Sequence, residues 1–103
     1  MAIEIIGPTA RTALKFGDQK INPRPLGSAE QDPAWTTGAV ETAGSEDLCF
    51  ITLASPGTVR EHLENCRVEV LDGPVTKLGA LGEMVSHYCR DPDGSLIEIT
   101  VYP

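Results

Sequence analysis

Glu98 is the residue whose type and position most clearly suggest chemistry. It lies in residues 95–102, where polar and apolar side chains alternate as in a β-strand. One face of that strand carries Leu96, Glu98 and Thr100, and the other carries Ile97, Ile99 and Val101. A single carboxylate in such a strand has two interpretations. It faces solvent, because Glu is rarely buried without a partner, or it is a metal ligand or acid–base group that faces a cavity.

A strong turn signal, Asp91-Pro92-Asp93-Gly94, precedes this strand. The proline fixes one backbone angle, the second aspartate can bond its own backbone, and the glycine accepts a positive φ. Strand-forming residues lie on both sides, over 84–90 and 95–102, so the pattern predicts a β-hairpin.

The run from Tyr88 to Glu98, Tyr-Cys-Arg-Asp-Pro-Asp-Gly-Ser-Leu-Ile-Glu, resembles the ending of the vicinal oxygen chelate superfamily. This superfamily includes glyoxalases, bleomycin-resistance proteins and extradiol dioxygenases, and its members typically end with tyrosine, a bulky residue and R-D-P-D-G-N-x-I-E. The resemblance implies that Glu98 is a metal ligand. It does not select one reaction, because the superfamily supports several chemistries on one scaffold.

A second stretch, Asp47-Leu48-Cys49-Phe50, resembles the start of the superfamily's second module, where a pattern like H-I-A-F is usual. Asp47 replaces the histidine, so the resemblance implies that Asp47 and Glu98 are two oxygen ligands of a divalent metal. Such a pair suits Mg²⁺, Mn²⁺ or Ca²⁺, and carboxylates also bind Zn²⁺ and Fe²⁺. We expect the site to be incomplete. A catalytic transition metal usually takes three protein ligands, and the family's other histidine lies in an opening strand that is missing here.

Other residues are candidates for the same face. Tyr88 matches a position where the superfamily often has a tyrosine near the metal or substrate, which makes it the candidate catalytic residue. Ser86, Asn22 and Arg24 are candidates for substrate binding, although Arg24 could equally be an exposed arginine at a strand edge. Trp35 either forms a lid over the pocket, and so contacts substrate, or anchors its loop by packing.

The elements that position these residues are predicted from periodicity and turn signals. The pattern predicts strands over 1–6, 9–16 and 19–24, a Gly17-Asp18 hairpin turn, and a long loop over 26–46. It then predicts strands over 47–53, 68–71, 84–90 and 95–102, with 75–82 irregular. A helix is predicted from Ser55-Pro56 to about residue 65.

Side-chain parity assigns faces to these elements. The helix has an apolar stripe of Val59, Leu63 and Cys66, and it is expected to cover Leu48 and Phe50. Neither histidine is expected to be a ligand. His62 lies off the stripe and is predicted to be solvated, while His87 has the opposite parity from Tyr88 and is predicted to lie in the core.

The order strand, helix and three strands is the repeating βαβββ module of the vicinal oxygen chelate fold, in which two modules enclose a cupped cavity. The resemblance therefore implies one α+β domain over residues 1–103. Residues 1–25 form a partial first module that lacks its opening strand and helix, 26–46 form a connecting loop, and 47–103 form a complete module.

Composition limits the classes of function. The chain has 103 residues and a formal net charge of −7, which argues against a general nucleic-acid binder. No apolar run approaches the roughly 20 residues of a membrane span, and no leader is recognised. Three cysteines without a CxxC pair indicate reduced thiols in a cytoplasmic protein.

Three functions stay open. The first is a metal-dependent enzyme, either a ring-cleaving dioxygenase, a glyoxalase-type lyase or an antibiotic-modifying enzyme, acting on a small molecule with vicinal oxygens. The second is a metal-free module that binds a small molecule such as an antibiotic. The third is an inactive remnant of the fold. Because an uncovered sheet edge invites pairing, we also expect a homodimer or larger oligomer in which residues 1–25 supply much of the interface.

Overall fold

The computed structural model describes residues 1–6, 10–27, 38–45 and 47–103. Within these ranges the chain forms a three-stranded sheet, a four-stranded sheet and a helix, so the predicted α+β class is confirmed. No helix in these ranges is long and apolar enough to cross a membrane.

The three-stranded sheet comes from the first part of the chain. Its strands are β1 (Ala2–Ile6), β2 (Arg11–Phe16) and β3 (Gln19–Ile21), and they pair antiparallel in that order. The predicted turn joins β2 to β3, and Gly17 has a φ of 56°, which favours glycine.

The predicted strand over 19–24 is too long, because β3 ends at Ile21. Pro23 and Pro25 have no N–H to donate to a strand ladder. Asn22 and Arg24 therefore lie beyond the end of the strand, and strand parity does not decide where their side chains point.

The second part of the chain follows the predicted order of strand, helix and three strands. These elements are β4 (Asp47–Ile51), α1 (Pro56–Asn65), β5 (Asp72–Gly79), β6 (Gly82–Arg90) and β7 (Leu96–Val101). The strands form one sheet in the order β4-β7-β6-β5, with β4 parallel to β7 and the other pairs antiparallel. β6 and β7 are the predicted final hairpin.

The strand after the helix is not where the sequence pattern predicts it. Residues 68–71 form no strand, and β5 instead covers most of the segment predicted to be irregular. A register shift between Asp72 and Val75 lets the strand pass Gly73-Pro74. β5 also lies at the edge of the sheet, where a missing N–H is tolerated.

Helix α1 begins where its N-terminal signal predicts. The Ser55 hydroxyl accepts a hydrogen bond from the Thr58 backbone N–H at 3.2 Å, and Pro56 occupies the first turn. Val59 is buried and His62 is exposed, as predicted. Cys66, the predicted end of the apolar stripe, is exposed because it caps the helix after its last turn.

The core lies mainly around β6 and β7. Met84, Cys89 and Leu96 are buried there, together with the polar side chains Ser86, His87 and Thr100. The full burial of His87 confirms its predicted place in the core. The predicted cover of Leu48 and Phe50 is wrong. They are 40% and 52% exposed, because α1 packs on β6 and β7 and leaves the edge strand β4 open.

Candidate functional site

Strand register brings four candidate residues, together with Cys49, onto one face of the four-stranded sheet. Cys49 in β4 and Tyr88 in β6 both lie opposite Glu98 in β7. Residues paired across neighbouring strands share a face, and residues two apart in a strand share it as well. This surface, called the Glu98 face, is formed by Asp47, Cys49, Ser86, Tyr88 and Glu98.

The Glu98 carboxylate is the acceptor at the centre of this face. The Ser86 hydroxyl donates to Oε1 at 2.6 Å, and the Tyr88 hydroxyl donates to the same atom at 2.9 Å. Cys49 lies beside Glu98 on the neighbouring strand, and the charge of Glu98 acts on its thiol. Glu98 is partly buried, so the interpretation of a merely solvated carboxylate does not describe it.

The hydroxyl of Thr100 lies beside the hydroxyl of Ser86. Thr100 Oγ1 lies 3.0 Å from Ser86 Oγ and 3.2 Å from the carbonyl oxygen of Val85. Because the Ser86 proton goes to Glu98, the single Thr100 proton serves these two acceptors. Both hydroxyl side chains are fully buried. Because buried hydroxyls are costly without partners, this chain of contacts fixes the direction from which Ser86 reaches Glu98.

Burial and the charge of Glu98 keep the donors protonated. Burial is the main cause that raises the pKa of Cys49 to about 12, and the neighbouring charge and hydrogen bond of Glu98 add to it. The same causes, in the same order, raise the pKa of Tyr88 above its ordinary value. At neutral pH both groups are therefore hydrogen-bond donors and not a thiolate and a phenolate.

Asp47 is electrostatically coupled to Glu98. It lies on the exposed strand β4, yet loss of hydration is the largest cause that raises its pKa. The charge of Arg24 lowers the pKa of Asp47, and the charge of Glu98 raises it. Strand register puts Asp47 on the same face as Glu98, two residues from Cys49, which pairs with Glu98.

Two lysines in β3 and β5 were not predicted as site residues, and one of them, Lys77, contacts Tyr88. Lys20 in β3 donates from Nζ to the backbone carbonyl of Leu78 in β5 at 3.2 Å. Lys77 in β5 places its Nζ 5.7 Å from the centre of the Tyr88 ring. Lys20 could have been found from the sequence, because alternation along the predicted strand over 19–24 puts it on the same face as Asn22 and Arg24. Lys77 was missed because its segment was predicted to be irregular.

The remaining predicted site residues do not belong to the Glu98 face. Arg24 is largely buried and lies 3.8 Å from Glu41, measured from Nε to Oε1, so it is not an exposed edge arginine. Asn22 is exposed beyond β3. Trp35 lies outside the described residues, and the prediction of a lid stays a prediction.

The donor set limits the kind of metal this face suits. Across residues 1–6, 10–27, 38–45 and 47–103, no group of three or more His, Cys, Asp or Glu side chains lies close enough to hold a metal ion. These residues do not fit a three-ligand transition-metal centre. A hard cation such as Mg²⁺ is commonly bound by one or two carboxylates plus water or substrate oxygens.

Comparison with known proteins identifies relatives, although no protein-family model matches the chain. It is 41% identical over 92 residues to glyoxalase domain-containing protein RDO1 of Mycosarcoma maydis, an overlap of 89% of this chain and 50% of that protein. It is 43% identical over 93 residues to virulence protein STM3117 of Salmonella typhimurium strain LT2, an overlap of 89% of this chain and 61% of that protein. The chain thus spans only 50% and 61% of the length of these two curated relatives.

A solved structure agrees with these sequence matches. An integron cassette protein from the mobile metagenome of V. cholerae aligns with 100% of this chain, at a TM-score of 0.56 and 40% identity, over 77% of its own length. The shared sequence, the α+β fold and the closing motif agree with one another. The chain belongs to the glyoxalase, or vicinal oxygen chelate, superfamily.

Proposed function

We propose that this chain binds a small molecule with two adjacent oxygen atoms on its Glu98 face, together with a hard divalent cation such as Mg²⁺ or Mn²⁺ between Asp47 and Glu98. The observation that carries the proposal is the strand register, which places Asp47 and Glu98 on one face, with Asp47 two residues from Cys49, the residue that pairs with Glu98. Hard cations are often bound by one or two carboxylates plus substrate oxygens. When bound, the cation supplies Lewis-acid chemistry to those oxygens.

The superfamily relationship supports two types of reaction for such a ligand, cleavage of an aromatic ring by a dioxygenase and a glyoxalase-type lyase reaction. Under either, Ser86 and Tyr88 hold the Glu98 carboxylate in one orientation through their hydroxyl groups. Because its pKa is raised, Tyr88 keeps its proton at neutral pH, donates it in a hydrogen bond to Glu98 and does not act as a base.

One observation favours a second function, metal-free binding of a small molecule. Glu98 already accepts hydrogen bonds from Ser86 and Tyr88. Such donors offset the cost of burying a carboxylate without a cation. In this alternative the ligand replaces one of the hydroxyl donors at Glu98.

A titration with Mn²⁺, followed by water-proton relaxation in the absence of oxygen, separates these functions. Catechol serves as the probe because it carries two adjacent oxygens. We expect weak binding of one Mn²⁺ per chain alone and tighter binding with catechol. Glu98→Gln should lose both effects. Glu61→Gln, which removes an exposed carboxylate on α1, should behave like the wild type.

The outcomes are distinct. Catechol binding that needs no Mn²⁺ and is weakened by Glu98→Gln supports the metal-free function. Equal Mn²⁺ binding by the wild type and Glu98→Gln contradicts the cation site. Binding of neither probe by a folded wild type indicates an inactive remnant. Circular dichroism checks that each variant is folded.

A further inference from the structure

Strand β4 has one open edge. Among the described residues, only β7 pairs with β4, which ends the order β4-β7-β6-β5. All five residues of the strand are exposed, and the side chains of Phe50 and Ile51 are more than half exposed. An edge strand of this kind presents unpaired backbone groups with which another strand can pair.

The backbone groups on this edge follow from the pairing with β7. Thr52, directly after β4, donates its N–H to the carbonyl of Thr100 at 2.9 Å. The backbone groups of successive residues point to opposite sides of a strand. The even-numbered residues of β4 therefore turn their N–H and C=O groups towards β7. The odd-numbered residues turn theirs outward, and these are Asp47, Cys49 and Ile51.

This outward edge is complementary to a second copy of itself. A two-fold axis at Cys49 makes the two strands antiparallel, and each Cys49 then exchanges two backbone hydrogen bonds with its copy. The same register sets Asp47 opposite Ile51. It also sets Leu48 opposite Phe50, so that two exposed apolar side chains meet. Asp47 is the one charged residue of β4, and it does not face its own copy, which matters for a chain with a net charge of −7.

We propose that β4 pairs with β4 of a second copy in this antiparallel register and joins two four-stranded sheets into one of eight strands. The pairing places the Glu98 faces of both copies on the same side of the joined sheet. This contact is separate from the one expected at residues 1–25, and two symmetric contacts per chain build a larger closed oligomer. It does not rest on the proposed function, because it needs no ligand.

Amide hydrogen exchange of the wild type, followed by NMR and combined with sedimentation, tests the pairing. We expect the protection of the Cys49 and Ile51 amides to rise with protein concentration, in step with the fraction of associated chains. These N–H groups gain a hydrogen bond only in the pair, and exchange reports such bonds. The amide of Phe50 is the internal control. It points to β7, so its protection should already be present in the monomer.

A proline at the two-fold axis tests the backbone contact directly. Cys49→Pro removes an N–H that faces outward, and proline is tolerated at such positions of an edge strand. The symmetry deletes two hydrogen bonds at once, so we expect the dissociation constant of this contact to rise about tenfold or more. Cys49→Ala keeps the N–H and should associate like the wild type. Circular dichroism checks that both variants are folded.

Cross-linking tests the register. Leu48 and Phe50 of the copy face each other without exchanging backbone hydrogen bonds, and the Cα atoms of such pairs lie about 4.5 Å apart, within reach of a disulfide. The two exposed natural cysteines, Cys49 and Cys66, are first replaced by alanine. A mixture of Leu48→Cys chains and Phe50→Cys chains should then cross-link on mild oxidation, whereas neither variant alone should do so.

Several results would overturn the inference. One is a wild-type monomer whose Cys49 amide is protected, which would mean that other residues of the same chain cover β4. Others are equal association of Cys49→Pro and Cys49→Ala, and a cross-link that either cysteine variant forms alone as readily as the mixture. None of these results bears on the proposed function, whose test is the binding of Mn²⁺ and catechol.

Discussion

At the scale of single residues, the Glu98 face depends on how one carboxylate is held. Ser86 and Tyr88 both donate to the same oxygen of Glu98. Hydrogen bonds to a charged acceptor are stronger than those between neutral groups. We infer that these donors fix the orientation of Glu98 before any ligand arrives.

Tyr88→Phe tests this arrangement by removing a single hydroxyl. We expect the free energy of unfolding, measured by urea denaturation, to fall by about 1–2 kcal/mol, because a donor to a partly buried carboxylate is lost. A double-mutant cycle with Glu98→Gln should show a coupling of at least about 0.5 kcal/mol. Additive effects of the two substitutions would mean that the hydroxyl and the carboxylate do not interact.

His87 is a buried histidine on the opposite face. Neither of its ring nitrogens has a hydrogen-bond partner in the part of the chain that the structure describes. Burial is the main cause that lowers the pKa of His87, and the charge of Arg60 lowers it further. The unfolded chain therefore binds a proton at His87 more tightly than the folded chain does. The stability gained from neutral His87 is complete above about pH 6.5 and is lost as the pH falls towards the lower pKa of the folded state.

The comparison of wild type with His87→Leu isolates this effect. Between about pH 7.5 and about pH 5.5, we expect the free energy of unfolding to decrease more in the wild type than in the variant. The raised pKa of Asp47 has the opposite effect on stability but is common to both proteins. His62→Gln should keep the wild-type pH dependence because His62 is exposed. Parallel curves for the wild type and His87→Leu would contradict this account.

At the scale of elements, Gly79 shows how tightly the end of β5 packs. A Cβ at this position would collide with the hydroxyl of Tyr102 and the sulfur of Met84. Gly79→Ala should therefore lower the free energy of unfolding by about 1–3 kcal/mol. Gly57→Ala, in α1 with open space around it, should raise it by about 0.4–1 kcal/mol. Similar effects of both substitutions would contradict the packing at β5.

The same elements show what local sequence can and cannot predict. The Ser55 cap, the Gly17 turn and the β6–β7 hairpin depend on residues close in sequence, and the structure confirms them. β5 was missed because its strand depends on pairing with β6 across a register shift at Gly73-Pro74. The contact of Lys20 with Leu78 joins residues 58 positions apart, which strand periodicity cannot reveal.

Some of the site residues, like some of the elements, could be predicted from the sequence. Parity placed Ser86, Tyr88 and Glu98 on one face, because alternation along a strand is a local property. The closing motif also identified the superfamily. Arg24 was harder to place, because its ion pair with Glu41 forms beyond the end of β3.

At the scale of the whole molecule, each sheet has an open edge with exposed apolar residues. β1 and β4 are terminal strands of their sheets. Ile3 and Ile5 in β1 are 74% and 65% exposed, and Phe50 and Ile51 in β4 are 52% and 58% exposed. Strand edges and apolar patches of this kind favour association with another chain.

We predict a homodimer or larger closed oligomer in which residues 1–25 supply much of the interface. Light scattering at micromolar concentration should give at least twice the 11.0 kDa of one chain. Ile3→Asp should shift the population towards the monomer. Val40→Asp, at an exposed residue outside 1–25, should have little effect. A wild-type monomer whose β1 amides resist hydrogen exchange would contradict the prediction.

The most direct test of the central claim is a crystal structure of the chain grown with Mn²⁺ and catechol without oxygen, with anomalous data at the manganese edge. We predict one anomalous peak within about 2.5 Å of carboxylate oxygens from both Asp47 and Glu98. Both catechol oxygens should contact the same ion. Catechol bound on the Glu98 face without a peak, or a peak away from these two carboxylates, would contradict the claim.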